Sequence, residues 1–152
     1  MPHLIRKARL IDTAKISQIL RGYSAQGVLL GRNEPEVSER IREFAVYELD
    51  EKIVGVISLA FFWEKLAEIR SLAIDEEYQR RGIGKKMVDY VTNEAKEYGC
   101  KTLFTLTYEQ VFFEKLGFEV TDKHNFSQKV WVECTRCPKF PDCDEIAMSK
   151  SL

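Results

Sequence analysis

Ile69-Arg70-Ser71-Leu72-Ala73-Ile74-Asp75-Glu76-Glu77-Tyr78-Gln79-Arg80-Arg81-Gly82-Ile83-Gly84-Lys85-Lys86 is the most informative stretch of the chain. It reads as a buried strand ending at Asp75, a short polar loop, and a glycine pair that opens a long amphipathic helix. Such a turn points unpaired backbone N–H groups outwards at the positive end of the helix dipole, where a phosphate binds readily. Gly82 and Gly84 let the backbone approach a ligand where a Cβ would intrude, and Arg80, Arg81 and Lys85 add positive charge. The plainer alternative is a turn that needs glycine before a helix and nothing more. Two familiar phosphate loops are excluded, because Met87 stands where the dinucleotide pattern needs a third glycine and Gly-x-x-x-x-Gly-Lys-Ser/Thr occurs nowhere.

On the C-terminal side, Ile83, Met87, Val88, Val91, Ala95 and Tyr98 form one helical stripe over residues 82–98, with Gly99 at the C′ position. Residues 101–107 read as a strand, so residues 67–107 make a strand–helix–strand unit that predicts a right-handed parallel crossover. A short helix ending near Leu116, a turn at Gly117, a strand from Phe118 and a last strand at 145–148 follow, the last two separated by a long loop. On the N-terminal side, strands at 44–49, 53–62 and 67–74, the first two joined by a tight turn at Asp50-Glu51, predict a mostly antiparallel meander. Before them come a strand over 4–11, a helix from an Asp12-Thr13 cap to about Arg21, a polar loop over 30–34, and a second helix from Pro35 to about Glu43.

The 152 residues, 45% hydrophobic and 31% charged, fit a single globular domain over 1–152 and exclude a disordered or fibrous chain. Lys and Arg number 23 against 24 Asp and Glu, a net charge of −1, which gives no reason to expect nucleic-acid binding. The longest apolar run, residues 53–63, falls far short of the ~20 residues that span a bilayer, so no membrane partner is expected. The N-terminus lacks the order of a secretory signal, which predicts a cytoplasmic protein with mostly reduced cysteines.

Gln79-Arg80-Arg81-Gly82-Ile83-Gly84 resembles the Gln/Arg-x-x-Gly-x-Gly/Ala signature of the GNAT family of N-acetyltransferases, in which this turn holds the pyrophosphate of acetyl-coenzyme A. Residues 67–74 resemble the family's fourth strand, residues 112–118 its Tyr-Glu-Lys-Leu-Gly-Phe segment, and residues 146–152 its last strand. The resemblance implies the α/β GNAT acyl-CoA N-acyltransferase fold, a mixed, mostly antiparallel sheet with a central strand–helix–strand crossover. More narrowly, Leu30-Gly31-Arg32-Asn33, Ala67-Glu68-Ile69-Arg70 and residues 103–113 are similar to the acetyltransferase part of N-acetylglutamate synthases. A short stand-alone form without the amino-acid-kinase-like domain is implied, with arginine biosynthesis as its setting.

Acetyl transfer from a thioester needs an aligned neutral amine, oxyanion stabilisation, a base for the amine proton and an acid for the thiolate. The resemblance makes Glu68 the candidate base, acting through water where a V-shaped split between parallel strands would admit the thioester. An ion pair with Arg70 or another cation is the structural alternative. The same resemblance gives acetyl-coenzyme A to Gln79, Arg80, Arg81, Gly82, Ile83, Gly84 and Lys85, and the oxyanion and pantetheine contacts to the backbone N–H groups of Leu72, Ala73 and Ile74. Phe113 lies along the coenzyme where the family commonly has a tyrosine that protonates the thiolate, and a phenyl ring cannot do so. Tyr108 is the substitute donor, with packing or protonation by solvent as alternatives.

An amino-acid acceptor carries carboxylates, which call for guanidinium partners, and Arg32 and Arg70 are the candidates, against solvated or structural roles. The leading activity is acetylation of the α-amino group of an amino acid, glutamate first. Its rivals are a GNAT enzyme for another small-molecule or protein amine, and a non-catalytic coenzyme A sensor; a homodimer is also compatible. In the cysteine-containing segment 131–145, Cys134, Cys137 and Cys143 have spacings compatible with a zinc site that His124, Cys100 or Asp144 would complete. Inert reduced cysteines or a redox pair are the alternatives, and Trp131 is read as a packing anchor.

Overall fold

The structure is a computed structural model and describes residues 3–25, 33–63, 65–122 and 145–152. Its strands are β1 (His3–Lys7), β2 (Phe44–Leu49), β3 (Lys52–Phe62), β4 (Leu66–Ile74), β5 (Thr102–Thr107), β6 (Glu119–Thr121) and β7 (Ile146–Ser151). Its helices are α1 (Thr13–Ala25), α2 (Glu34–Glu39), α3 (Ile83–Glu97) and α4 (Gln110–Lys115). The seven strands form one mixed sheet in the order β1-β2-β3-β4-β5-β7-β6. The described residues group into two compact units, Met1–Leu59 with Arg70–Glu94, and Ala60–Ile69 with Ala95–Leu152.

In the first unit β1 and β2 run antiparallel from His3↔Leu49 to Lys7↔Ala45, and β2 and β3 from Phe44↔Ser58 to Leu49↔Lys52. The connecting turn has Asp50 at φ 51° and Glu51 at φ 65°, the left-handed pair of a two-residue hairpin whose twist suits the strands. Ile16, Ile19 and Leu20, at helical spacing on α1, pack with Val37, Phe44, Val46, Val56 and Ala73 in a buried core. Gly55 is a packing requirement, because a Cβ there would lie 2.9 Å from Met87 Sδ on α3 and 3.0 Å from Ile74 Cδ1.

The first strand is shorter than its apolar pattern predicts, and Leu10–Asp12 is a 3-10 turn with Leu10 and Ile11 exposed. Asp12 is the cause: its carboxylate accepts from the Arg9 backbone N–H at 2.8 Å and from the Arg6 guanidinium at 2.8 and 3.0 Å, closing the turn. Thr13 then donates its hydroxyl to the Leu10 carbonyl at 2.7 Å as α1 begins. The second helix also stops early, at Glu39, because Arg40 leaves helical geometry (φ −110°, ψ 20°) and Ile41–Glu43 continues as a 3-10 turn. Asn33 caps its start through a bond from the Glu36 N–H to Oδ1 at 3.0 Å.

In the second unit β4 runs parallel to β5 from Leu66↔Thr102 to Ile69↔Thr105. β7 lies between β5 and β6 and is antiparallel to both, and it extends to Ser151 rather than stopping at Met148 as expected. Phe104 and Ala147 are buried with Phe62, Leu66 and Leu106 around them. The α3 stripe ends at Ala95: Tyr98, expected on it, is 72% exposed and packs on Phe61 with ring centroids 5.0 Å apart. Gly99 (φ 85°) closes the helix in a Schellman motif, with the Cys100 N–H bonded to the Ala95 carbonyl at 2.9 Å.

Candidate coenzyme and catalytic site

The Gln79–Gly84 turn belongs to the first unit and is built by its own side chains. Where β4 ends, the Asp75 N–H donates to the Val54 carbonyl at 2.7 Å, and the Asp75 carboxylate accepts from the Glu77 N–H at 3.2 Å. These bonds start the 3-10 turn Glu76–Tyr78. Gln79 donates its amide to the Ile74 carbonyl at 3.1 Å, so this residue braces the turn from within. Arg80 then sits at φ 64° and Gly82 at φ 79°, two left-handed residues in the approach to α3. Only Gly82 adopts that region without penalty, and a Cβ built there meets nothing within 4 Å, so the space above it is open.

The Lys86 N–H bonds to the Gly82 carbonyl at 3.3 Å, which opens the α-helical ladder. By helix geometry the N–H groups of Ile83, Gly84 and Lys85 precede that ladder, and they face outward at the positive end of the dipole. Arg81 lies over the ring of Tyr78, its Cζ 5.1 Å from the centroid, and Lys52 Nζ lies 5.5 Å from the same centroid. Lys85 pairs with Asp89 at 3.0 Å, both groups well exposed, so the pair contributes little to stability. The turn can therefore take a phosphate-bearing ligand through backbone donors and a cationic surround.

Arg70, on the same unit's part of β4, has a side chain only 6% exposed and bonds Glu43 at 3.2 Å, while Glu43 also faces Arg40 at 3.7 Å. A carboxylate partner for Arg70 is thus part of the fold. In the second unit Glu68 is 2% exposed and stands in register with Phe104 on β5. Beside it along the ladder, Thr105 donates its hydroxyl to the Ile69 carbonyl at 2.9 Å. Tyr108, just past the end of β5, is 37% exposed, which sets it apart from a core packing residue. Phe113 is a core residue, 3% exposed and set edge-on against Phe112 and Phe118 at 5.0 and 5.2 Å.

Arg32, His124, Trp131, Cys134, Cys137, Cys143 and Asp144 lie outside the described residues. Among the described residues no group of three His, Cys, Asp or Glu side chains is arranged to hold a metal ion. Cys100 is buried, and that burial pushes its thiol above the ordinary range, which keeps it protonated and unreactive. No described helix is long and apolar enough to cross a membrane. Sequence reasoning missed Tyr78 and Glu43, both of which act on an arginine. The signal for Tyr78 was its spacing three residues before Arg81; Glu43 left no signal, since its partner is 27 positions away.

This sheet and this turn define an acetyltransferase of the GNAT class. Residues 18–118 match the acetyltransferase (GNAT) family, and the chain belongs to it as an N-acetyltransferase. The chain is 42% identical to an uncharacterized N-acetyltransferase of Chlorobaculum tepidum over 148 residues, which is 97% of this chain and 96% of that protein. It is 32% identical to an amino-acid acetyltransferase of Mycobacterium tuberculosis over 136 residues, 88% of this chain and 78% of that protein. Among solved structures, an N-acetylglutamate synthase from Neisseria gonorrhoeae complexed with coenzyme A and N-acetyl-glutamate shares the fold at a TM-score of 0.86 and 24% identity. The match covers 100% of this chain and 35% of that one. A Mycobacterium tuberculosis protein in complex with coenzyme A matches at a TM-score of 0.86 and 27% identity, over 98% of this chain and 99% of its own.

Proposed function

We propose that the protein transfers the acetyl group of acetyl-coenzyme A to the α-amino group of an amino acid, with glutamate as the leading acceptor. The observation that carries the acceptor class is the 32% identity to an amino-acid acetyltransferase along most of both chains. Supporting the coenzyme are the open left-handed turn at Gly82 and the outward N–H groups of Ile83 to Lys85. In this reading the turn holds the pyrophosphate, and the N–H groups of Leu72, Ala73 and Ile74 receive the pantetheine and the oxyanion. Glu68 accepts the amine proton through water as nitrogen attacks the thioester carbon. The tetrahedral intermediate collapses, the C–S bond breaks, and the departing thiolate takes a proton from Tyr108 or solvent. Arg70, already steadied by Glu43, and Arg32 bind the acceptor's carboxylates. A cytoplasmic step of arginine biosynthesis is the setting such an acceptor implies.

The test is a panel reaction: pure protein, acetyl-coenzyme A and each amino acid in turn, with N-acetyl products measured by mass spectrometry. N-acetylglutamate should form fastest, glutamine and aspartate more slowly, and amines without a carboxylate least. Efficient acetylation of a carboxylate-free amine, or formation of no product from any amino acid, would remove the amino-acid reading. In the same assay Arg32→Ala should raise the glutamate KM by about 10- to 100-fold, the equivalent of a lost charge-assisted pair, with little change for acetyl-coenzyme A.

A further inference from the structure

We infer that Tyr78 is a positioning residue for the phosphates of the coenzyme: its ring gathers Arg81 from the turn and Lys52 from the start of β3 into one cationic clamp. This inference rests on the acetyl-coenzyme A reading above. The observation beneath it is that two cations from separate elements converge on one aromatic ring, at 5.1 and 5.5 Å from its centroid. Both cations lie within 6 Å of the ring centroid, where the ring quadrupole attracts positive charge, so one aromatic side chain holds cations from two elements beside the turn.

Tyr78 suits the task because its own position is settled by other bonds. It is half-buried in the 3-10 turn Glu76–Tyr78, and its N–H donates to the Asp75 carbonyl at 2.8 Å. Arg81 lies one residue before Gly82 and two before α3, so the residue held on the ring is the one that leads directly into the turn. Holding that long side chain in place removes much of the rotamer freedom it would otherwise lose on binding phosphate. Lys52 brings a second charge from the far side of the Asp50-Glu51 turn, so the clamp also ties the β2–β3 hairpin to the ligand. Arg80 and Lys85 are exposed and make neither contact, which separates the clamp from the general positive charge of the segment.

The test compares wild type with Tyr78→Leu, Tyr78→Phe and Lys52→Gln, using calorimetry with coenzyme A and steady-state kinetics with acetyl-coenzyme A and with acetyl-pantetheine, which has no phosphate. Tyr78→Leu should weaken coenzyme A about 3- to 10-fold and raise the acetyl-coenzyme A KM to match, with kcat at saturation within about twofold. Tyr78→Phe should recover most of the loss, because the ring and not the hydroxyl holds the cations. Lys52→Gln should give a smaller loss, which does not depend on the turn surviving a change at Tyr78. Neither Tyr78→Leu nor Lys52→Gln should alter kcat/KM for acetyl-pantetheine by more than about twofold. Unchanged coenzyme A affinity in Tyr78→Leu and Lys52→Gln, a Phe variant as weak as the Leu variant, or equal losses with acetyl-pantetheine would each overturn the clamp while leaving the acetyltransferase reading intact. A wild-type protein that fails to bind coenzyme A would instead overturn that reading, and the clamp with it.

Discussion

Glu68 is an acid almost sealed from water on β4, the strand that also carries Arg70. Glu68→Gln keeps the shape and removes the proton acceptor, so kcat should fall by about 10²-fold or more while coenzyme A affinity holds. Rate against pH would then lose its acid limb; wild-type turnover across the pH range would make Glu68 structural. Two neighbours in the turn allow a sharper comparison, because their substitutions act on stability in opposite directions. Arg80→Gly relieves a left-handed arginine and should raise stability by about 0.5–1 kcal/mol while weakening coenzyme A through the lost charge. Gly82→Ala imposes the same strain, should cost about 1–2 kcal/mol, and should weaken coenzyme A as well by filling open space. Urea melts and calorimetry on both variants check the pattern, and parallel stability changes would contradict it. The glycine was legible in the sequence because its residue type announces φ above zero. Arg80 was not, since nothing about an arginine signals a left-handed backbone, and Arg70 could be placed on its strand but not paired with Glu43.

The hairpin between β2 and β3 was legible as an element because two apolar runs flank a single polar pair. Its turn type was not, since Asp50 tolerates positive φ but Glu51 is poor there, and the strands impose that conformation on it. Asp50→Asn with Glu51→Gly supplies the residues this turn favours and should add about 0.5–1 kcal/mol, read as a higher urea midpoint at an unchanged slope. No gain, or a changed slope, would mean the turn is already relaxed. Helix α3 was read nearly to its ends, by its periodic stripe and by Gly99. The first strand was overread because alternation continues through Leu10 and Ile11, while the group that ends it is the Asp12 side chain, whose hold on Arg9 and Arg6 leaves no mark on the apolar pattern.

That same carboxylate contributes to the pH dependence of the whole chain's stability. The Arg6 guanidinium, through hydrogen bonds first and charge second, holds Asp12 below the ordinary carboxylate range, and Arg6 also bonds Glu48. A depressed folded value means the unfolded chain binds more protons in the acid window. The stabilisation is therefore complete above the ordinary value of 3.8 and is lost as pH falls through the depressed one. Asp12→Asn should cost about 1–2 kcal/mol near neutrality, given that Arg6 is partly solvated, and the gap from wild type should close in urea melts below about pH 4. A gap that persists to pH 2 would assign the effect to packing. Chain order within the sheet was the least legible property at this scale, because no local pattern says that β7 inserts between β5 and β6. The insertion matters while the polypeptide is still being made. The ribosome delivers β6 before the strand that joins it to the sheet, so β5 keeps an open edge and β6 lacks its partner until residues 146–151 emerge. During that interval the nascent chain offers strand edges to other chains, a window in which a chaperone that shields such edges would decide how much of the protein reaches its native pairing.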